Sequence, residues 1–245
     1  MDLGYYILSA MAVLLALSIH EYCHAYAAYR LGDNTAKNLG RLTLNPIKHI
    51  DPVGALCMLL FHVGWAKPVP INARNFKDPK KGFAITAVAG PTINLILAFL
   101  SALIYKIIVV SLRDLIFVPG SFPLLFWQNM ILFVFLFHSI NLGLGLFNLL
   151  PFPPFDGSRI LHIVLPPKVY FGIMKYEKKI YFGVLIWLLC GDWVSAIVRM
   201  MPFVARSPFL YSAAGILSLS DMLGTAIGAV SDLMFNFWEL IPILR

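Results

Sequence analysis

Long apolar runs, separated by short polar or proline-rich stretches, set the pattern of this chain. Five runs approach the roughly 20 residues that a helix needs to cross a bilayer, and they occupy residues 5–29, 83–110, 123–150, 180–198 and 208–244. A sixth run, residues 53–63, is apolar but too short to span. The last long run carries Asp221, Asp232 and Glu239, so the pattern leaves open whether it crosses the membrane or lies on its surface. We predict an all-α polytopic membrane protein with about 4–6 membrane segments.

A different pattern lies between the first two long runs, near residues 64–72. Pro68 and Pro70 exclude a helix and favour an extended edge strand or a re-entrant hairpin. Such backbone is tolerated at membrane depth only where it is buried against protein or lines a wet cavity. An exposed edge strand could hold an extended peptide by strand addition, and an ordinary interfacial loop is an equal alternative. We predict a small extended or re-entrant β segment here.

Two further breaks fall within or after long runs. Gly90 and Pro91 interrupt the second run and are expected to kink its helix, while Asn94 adds a polar side chain at membrane depth. The third run ends in N-L-L-P-F-P-P-F-D-G at residues 148–157, where three prolines force irregular chain. This break delivers Asp156 at or just inside the membrane boundary.

Composition supports the membrane assignment. The chain has 245 residues, of which 60% are hydrophobic and only 13% charged, unlike a soluble domain. Its first apolar run has no preceding basic residue and no small-residue cleavage site, so we expect a permanent helix and not a secretion signal. Three widely spaced cysteines imply no disulfide framework.

Lysine and arginine residues gather in two loops. Residues 30–81 hold nine of the nineteen and residues 159–179 hold five, whereas the link after the second run has only Arg113. Because cytoplasmic loops are enriched in these residues, we expect both basic loops in the cytoplasm and the N-terminus outside. This confinement to loops also explains the net charge of +7 without nucleic acid as a partner.

The candidate chemistry lies at the end of the first run, which reads S-I-H-E-Y-C-H from Ser18 and contains the pattern H-E-x-x-H. On a helix His20 and His24 share one face, where two imidazoles suit Zn²⁺. The carboxylate of Glu21 lies beside that face and could take a proton from a water molecule activated by the metal. No charged residue precedes the motif from residue 3 to residue 19, so a solvated helix face does not explain it. The layout indicates a metallohydrolase.

A catalytic zinc needs a third protein ligand and an open position for water. The candidates are Asp156, His138, His162, His62 and Asp192. Asp156 follows a helix that ends on the same side as His20 and His24, so it matches them in depth. His138 lies nearer the bilayer centre. We favour Asp156, with His138 as the reserve.

Three motifs in this order resemble the site-2 protease family of intramembrane zinc metalloproteases, in its compact prokaryotic form. They are H-E-Y-C-H at 20–24, G-P-T-I-N at 90–94 and the proline-rich passage at 148–157; the stretch G-W-A-K-P-V-P-I-N at 64–72 is similar too. The resemblance covers residues 1 to about 165. It implies that His20, His24 and Asp156 bind one Zn²⁺ per chain, that Glu21 is the general base, and that Asn148 positions the substrate or stabilises the oxyanion.

The resemblance also implies a function, namely hydrolysis of peptide bonds within or near transmembrane segments of membrane-protein substrates. We expect a protease core at residues 1–165, C-terminal membrane helices at 166–245, and a multi-pass location in a prokaryotic cell membrane with the active site toward the cytoplasm. Two alternatives stay open, a metal-binding membrane transporter and a proteolytically inactive homologue. A transporter would not need Glu21. Neither the oligomeric state nor the substrate can be predicted.

Overall fold

Three long helices form the frame of the protein. The computed structural model describes residues 3–54 and 66–244, and in these ranges the chain is helical with no sheet. The long helices are α1 (Leu3–Arg30), α3 (Pro79–Leu112) and α4 (Phe122–Asn148), and a short α2 (Thr35–Asn38) follows α1. All three long helices are apolar and long enough to cross a membrane. The chain is an integral membrane protein.

The three long helices pack pairwise against one another. Many of their buried residues are small, and the buried alanines on α1 and α3 are Ala12, Ala16, Ala25, Ala28, Ala84, Ala87, Ala98 and Ala102. Small side chains let helix backbones approach closely, which is how helices associate where lipid gives no hydrophobic driving force. The polar residues of the motifs are therefore held inside a tight three-helix core.

Local sequence explains where α3 and α4 begin. The Asp78 carboxylate accepts hydrogen bonds from the backbone N–H groups of Lys80 and Lys81, and Pro79 takes the first helical position. Ser121 precedes α4, with Pro123 in its first turn. Prolines suit these positions because the first N–H groups of a helix have no intrahelical partner. Pro91 lies inside α3, which continues as one helix to Leu112.

The C-terminal part consists of shorter helices. They are α5 (Gly157–Val164), α6 (Pro167–Met174), α7 (Glu177–Met200), α8 (Pro202–Ala205), α9 (Pro208–Ala213) and α10 (Leu219–Trp238). The short α5 packs against α3, and α10 packs against α3, α4 and α7. The C-terminal helices thus surround one side of the core.

The predicted count of 4–6 membrane segments is not confirmed. Among the described residues three helices meet the length and hydropathy of a span, or four if the two halves of α7, bent by 47°, count as one. The stretch 208–244 divides into α9, a 3₁₀ turn, α10 and a second 3₁₀ turn. α10 contains Asp221 and Asp232 besides several small polar residues, so it falls short of a spanning helix. Most of the apolar run 53–63 lies outside the described residues.

The predicted β segment is also not confirmed. Ala66 pairs with Ile50 in a single antiparallel bridge, and residues 67–72 form neither helix nor strand. Gly64 and Trp65 lie outside the described residues. Pro68 and Pro70 lack the N–H groups that a strand ladder needs. We call residues 66–72 the strap, because they run over the end of α1 that carries the motif.

Candidate metal centre and active site

Three predicted ligand side chains meet in one cluster. The Nε2 atoms of His20 and His24 lie 3.0 Å apart, and the Asp156 Oδ2 atom lies 3.2 Å from the first and 3.1 Å from the second. Both histidines are buried, while Asp156 is partly exposed. Among the described residues this is the cluster of His, Cys, Asp and Glu side chains with the spacing of a metal site.

The other ring nitrogen of each histidine is held by α3. His20 Nδ1 lies 2.6 Å from the Asn94 Oδ1 atom, and His24 Nδ1 lies 2.7 Å from the Thr86 carbonyl oxygen. Both partners accept, so each Nδ1 donates and each Nε2 is the nitrogen left to bind a metal. Asn94 is fully buried and donates in turn to Asn141 on α4. The imidazole orientations are therefore fixed by the frame of the fold.

Gly90 provides the room for the two rings. It lies on α3 midway between Thr86 and Asn94, one turn from each. A Cβ atom at this position would lie 2.6 Å from the His24 Cε1 atom and 2.7 Å from the His20 Cε1 atom. Real Cβ atoms do not approach so closely, so only glycine fits here. One face of α3 thus supplies an acceptor, a gap and a second acceptor on successive turns.

Asp156 reaches the histidines because of the broken chain before it. Residues 149–156 form no helix, and α5 begins directly after Asp156. Gly157 permits the tight return, since a Cβ atom there would lie 2.5 Å from the Leu150 carbonyl oxygen. Burial alone would raise the pKa of Asp156, but its contacts with His20 and His24 outweigh burial and hold the pKa well below its usual range. A carboxylate is also the form in which an aspartate binds a metal.

The donor set fits a zinc ion. Two ring nitrogens and a carboxylate oxygen at these distances need a positive charge among them. Ligand atoms of a tetrahedral zinc centre lie roughly 3.3 Å apart, given bond lengths of about 2.0–2.1 Å. The observed separations of 3.0–3.2 Å are close to that value. Nitrogen and carboxylate ligands are also the types that zinc prefers.

Glu21 lies beside this cluster and is held by the strap. Its Oε2 atom accepts a hydrogen bond of 3.0 Å from the Val69 backbone N–H. The Val69 side chain packs in a small buried core with Ala25 and Ala36. Glu21 itself is buried, with about as little exposed surface as Val69.

A polar cavity of about 310 Å³ opens onto the site. Its lining residues come from α1, the strap, α3, the broken chain and α5, and they are Glu21, His24, Pro68, Val69, Ile71, Phe83, Ala87, Pro154, Asp156 and Arg159. The Arg159 guanidinium lies over the Phe83 ring and 3.3 Å from Glu177. The sequence analysis did not identify Arg159 as a site residue. Its position about one helical turn after Asp156 could have indicated that it lies near the site.

The reserve ligand His138 has other partners. Its Nδ1 atom donates to the Ala98 carbonyl oxygen at 2.8 Å, and its Nε2 atom lies 2.9 Å from the Ser231 hydroxyl. Asp192 accepts hydrogen bonds from Ser218 and Ser220. His62 and the side chain of His162 lie outside the described residues. Neither His138 nor Asp192 joins the metal cluster.

Two other polar residues that the sequence singled out, Asn94 and Asn148, hydrogen-bond to other residues of the long helices. Asn94 is fully buried and hydrogen-bonds to His20 and Asn141. Asn148 is half-buried at the end of α4, and its amide donates to the Leu144 carbonyl oxygen at 3.0 Å. Asn148 is not one of the described residues that line the cavity.

Comparison with known proteins gives consistent matches. Residues 123–189 match the model of peptidase family M50. The chain is 38% identical to YwhC of Bacillus subtilis over 190 residues, covering 76% of this chain and 82% of the relative. It is 26% identical to Rip2 of Mycolicibacterium smegmatis over 221 residues, covering 86% and 80%, and 33% identical to MJ0611 of Methanocaldococcus jannaschii over 157 residues, covering 64% and 70%. All three names contain the words "zinc metalloprotease". No solved structure matches at a comparable level.

The site combines two imidazoles and a carboxylate that can bind a metal with a second, adjacent carboxylate that can act as a base, all at a polar cavity. In a helical membrane protein these groups define a membrane-embedded metallohydrolase. The matches make this class specific. The chain belongs to peptidase family M50, the site-2 protease family, and is an intramembrane zinc metalloprotease.

Proposed function

We propose that one zinc ion is held by His20, His24 and Asp156 and that Glu21 is the general base for peptide hydrolysis. The observation that carries this proposal is the convergence of three ligand atoms within 3.2 Å while the Nδ1 atom of each histidine is already engaged. That arrangement leaves both Nε2 atoms directed at a common point with the Asp156 carboxylate. Zinc supplies Lewis acidity when bound, polarising the scissile carbonyl and lowering the pKa of water.

Glu21 carries the proton in this scheme. Its side chain follows a ligand by one residue, so it lies beside the ligand atoms and not among them. Its Oε2 atom is fixed by the Val69 N–H, and the carboxylate borders the same cavity as His24 and Asp156. Glu21 takes the proton of the attacking water and then delivers it to the leaving amine.

Asn148 is proposed to hold the substrate or its oxyanion. In this structure its amide donates to the Leu144 carbonyl oxygen of its own helix. That bond is local and half-exposed, so the amide can exchange it for a substrate carbonyl at small cost. The role is supported by the position of Asn148 at the end of α4, eight residues before Asp156.

The substrate is proposed to be a transmembrane segment of another membrane protein that is locally unwound in the site. A regular helix hides its carbonyls in its own hydrogen bonds, so the scissile bond must lie in extended chain. The strap borders the cavity through Pro68, Val69 and Ile71 and is a template for such a chain. Residues 1–165 contain all proposed catalytic groups and form the proposed protease core, with residues 166–245 as accessory helices.

We propose further that the protein lies in a prokaryotic cell membrane with its site toward the cytoplasm. The basic stretches 30–81 and 159–179 flank the ends of α1, α3 and α5 that carry the site. Their positive charge supports a cytoplasmic location, because cytoplasmic loops are enriched in lysine and arginine.

The decisive experiment combines metal analysis with turnover of single-span membrane substrates by the purified protein. A chelator should abolish cleavage, and added zinc should restore it. Glu21→Gln keeps the shape of the side chain but cannot accept the proton, so zinc should stay bound while turnover falls by a factor on the order of 10² to 10⁴. Loss of zinc from this variant would make Glu21 a ligand or a structural residue. Full turnover would move the base elsewhere, and transport without cleavage would favour a transporter.

A further inference from the structure

Asp33 is a fully buried carboxylate just after the C-terminal end of the helix that carries the motif. Gly32, at φ 106°, turns the chain after α1 so that the Asp33 N–H bonds back to the Ala28 carbonyl oxygen at 2.9 Å. Its Oδ1 atom accepts from Thr35 and from the Asn75 amide at 2.7 Å, and its Oδ2 atom accepts from the Asn72 backbone N–H at 2.7 Å. A charged acceptor makes these hydrogen bonds stronger than neutral ones.

These bonds hold one end of the strap. The other end is held at Lys67, whose N–H donates to the His49 carbonyl oxygen at 2.8 Å and whose carbonyl oxygen accepts from Arg41 at 2.6 Å. Pro68 and Pro70 have no N–H to donate, so the strap has few hydrogen bonds of its own to fix its position. Its place over the site is therefore set by the groups at its two ends.

Between those ends, the described part of the chain shows one hydrogen bond from the strap to the catalytic machinery. Val69 lies between the two prolines, and its N–H donates to Glu21 Oε2 at 3.0 Å. The direction of the Glu21 carboxylate is thus coupled to the position of the strap. Asp33, through Asn72, fixes the strap three residues further along.

We propose that Asp33 is a positioning residue of the protease, which acts on Glu21 through the strap. Asp33 touches neither the substrate cavity nor the metal cluster among the described contacts. It holds the strap where the Val69 N–H orients the Glu21 carboxylate for proton transfer. This inference rests on the proposed role of Glu21.

The first test is Asp33→Asn, measured as turnover per bound zinc. The neutral side chain weakens the bonds from Asn72 and Asn75, so kcat per zinc-loaded molecule should fall on the order of tenfold while zinc content stays near one per chain. The matched control is Asp78→Asn, because Asp78 also accepts two backbone N–H groups but does so at the start of α3. The control should keep its kcat per zinc. If both variants lose only folded, zinc-loaded protein and keep kcat, the role of Asp33 is structural and the proposal fails.

The second test asks whether Asp33 acts through the strap. Val69→Pro removes the N–H that reaches Glu21 and leaves the Asp33 contacts in place, whereas Val69→Ala keeps the N–H and trims the side chain. We expect the proline variant to lose kcat to the same extent as Asp33→Asn and the alanine variant to lose much less. The double variant, Asp33→Asn with Val69→Pro, should lose no more than the worse single variant, because both act on one interaction. Multiplicative losses would overturn the proposal.

The two proposals fail in distinguishable ways. If Glu21→Gln retains zinc and loses turnover while Asp33→Asn and Val69→Pro cleave normally, Glu21 is the base and only the positioning role is wrong. If Glu21→Gln cleaves normally, the proposed function itself is wrong.

Discussion

At the scale of single residues, the site combines groups that a sequence reveals with groups that it hides. The pattern H-E-x-x-H and the depth of Asp156 pointed to the cluster that His20, His24 and Asp156 form. Backbone groups carry no signature in residue type, so the Thr86 carbonyl that orients His24 and the Val69 N–H that holds Glu21 could not be predicted. The sequence shows that Asn94 is a polar residue at membrane depth. It does not show which polar atom Asn94 contacts, because that depends on how the helices pack.

The first prediction separates the two candidate third ligands. Asp156→Ala removes a carboxylate from the cluster and should strip zinc or weaken it severely. His138→Ala removes hydrogen bonds to Ala98 and Ser231 instead. It should keep its zinc but lose stability, about 0.6 kcal/mol per interhelical hydrogen bond in addition to the cost of the cavity that it leaves. Elemental analysis of both purified variants tests this, and the reverse pattern would make His138 the ligand.

The second prediction concerns acid. Burial favours the neutral form of Asp33, but hydrogen bonds from Thr35, Asn72 and Asn75 outweigh burial and hold its pKa below the ordinary value. The ionised form therefore stabilises the fold fully above the unfolded pKa of about 3.9, and this contribution is lost as the pH falls below that value. The thermal unfolding temperature of the wild type should exceed that of Asp33→Asn near neutral pH, and the gap should narrow below about pH 4. If the difference in unfolding temperature stays the same in acid, the charge of Asp33 does not stabilise the fold.

At the scale of elements, α3 does more for the site than its apolar sequence suggests. Thr86, Gly90 and Asn94 recur every four residues, which places them on one face of the helix. That spacing is visible in the sequence, but Gly90 and Pro91 of the motif G-P-T-I-N predicted a kinked helix and not a face that holds the histidines. The expected end of the third span and the broken chain before Asp156 are confirmed, because prolines determine them locally. The strap and α10 are less predictable, since their course depends on partners distant in sequence.

The third prediction tests the gap in α3. Gly90→Ala adds a methyl group that would overlap both imidazoles. The rings must turn away from their Nδ1 partners, so zinc affinity should fall by about 10- to 100-fold, the range seen when the groups that orient metal ligands are disturbed. Competition with a calibrated chelator measures the affinity. Gly183→Ala on α7 is the control, because a Cβ atom there meets nothing within 4 Å. Equal affinity in the two variants would contradict the close approach of α3 to the rings.

At the scale of the whole molecule, the helices that carry the catalytic groups are in direct contact with the last long helix, α10. Two hydrogen bonds attach α10 to the core, one between Ser231 and His138 and one from the Trp238 indole to the Phe99 carbonyl oxygen. A salt bridge between Lys106 and Glu239 adds to them. The family match at residues 123–189 crosses the proposed boundary at residue 165. Among the helices after that boundary, α10 thus packs directly against the helices that carry the site.

The fourth prediction concerns orientation. In a cysteine-free background, single cysteines at Lys77→Cys and Lys175→Cys should resist a membrane-impermeant thiol reagent added from outside. Arg113→Cys, in the link between α3 and α4, should react, because the positive-inside rule places this link on the opposite face. Permeabilised cells provide the control for reactivity. Different labelling of Lys77→Cys and Lys175→Cys would place the two basic loops on opposite faces and contradict the proposed topology.

The bond between His138 and Ser231 predicts that these two distant positions change together during evolution. An imidazole in the middle of a membrane helix is tolerated because the Ala98 carbonyl and the Ser231 hydroxyl satisfy both of its nitrogens. A descendant that lost α10 would keep the imidazole and lose one of its partners, which selection should correct by an apolar substitution. Among homologues, histidine at this position should therefore occur together with a hydroxyl on the last helix, and the two should be lost together.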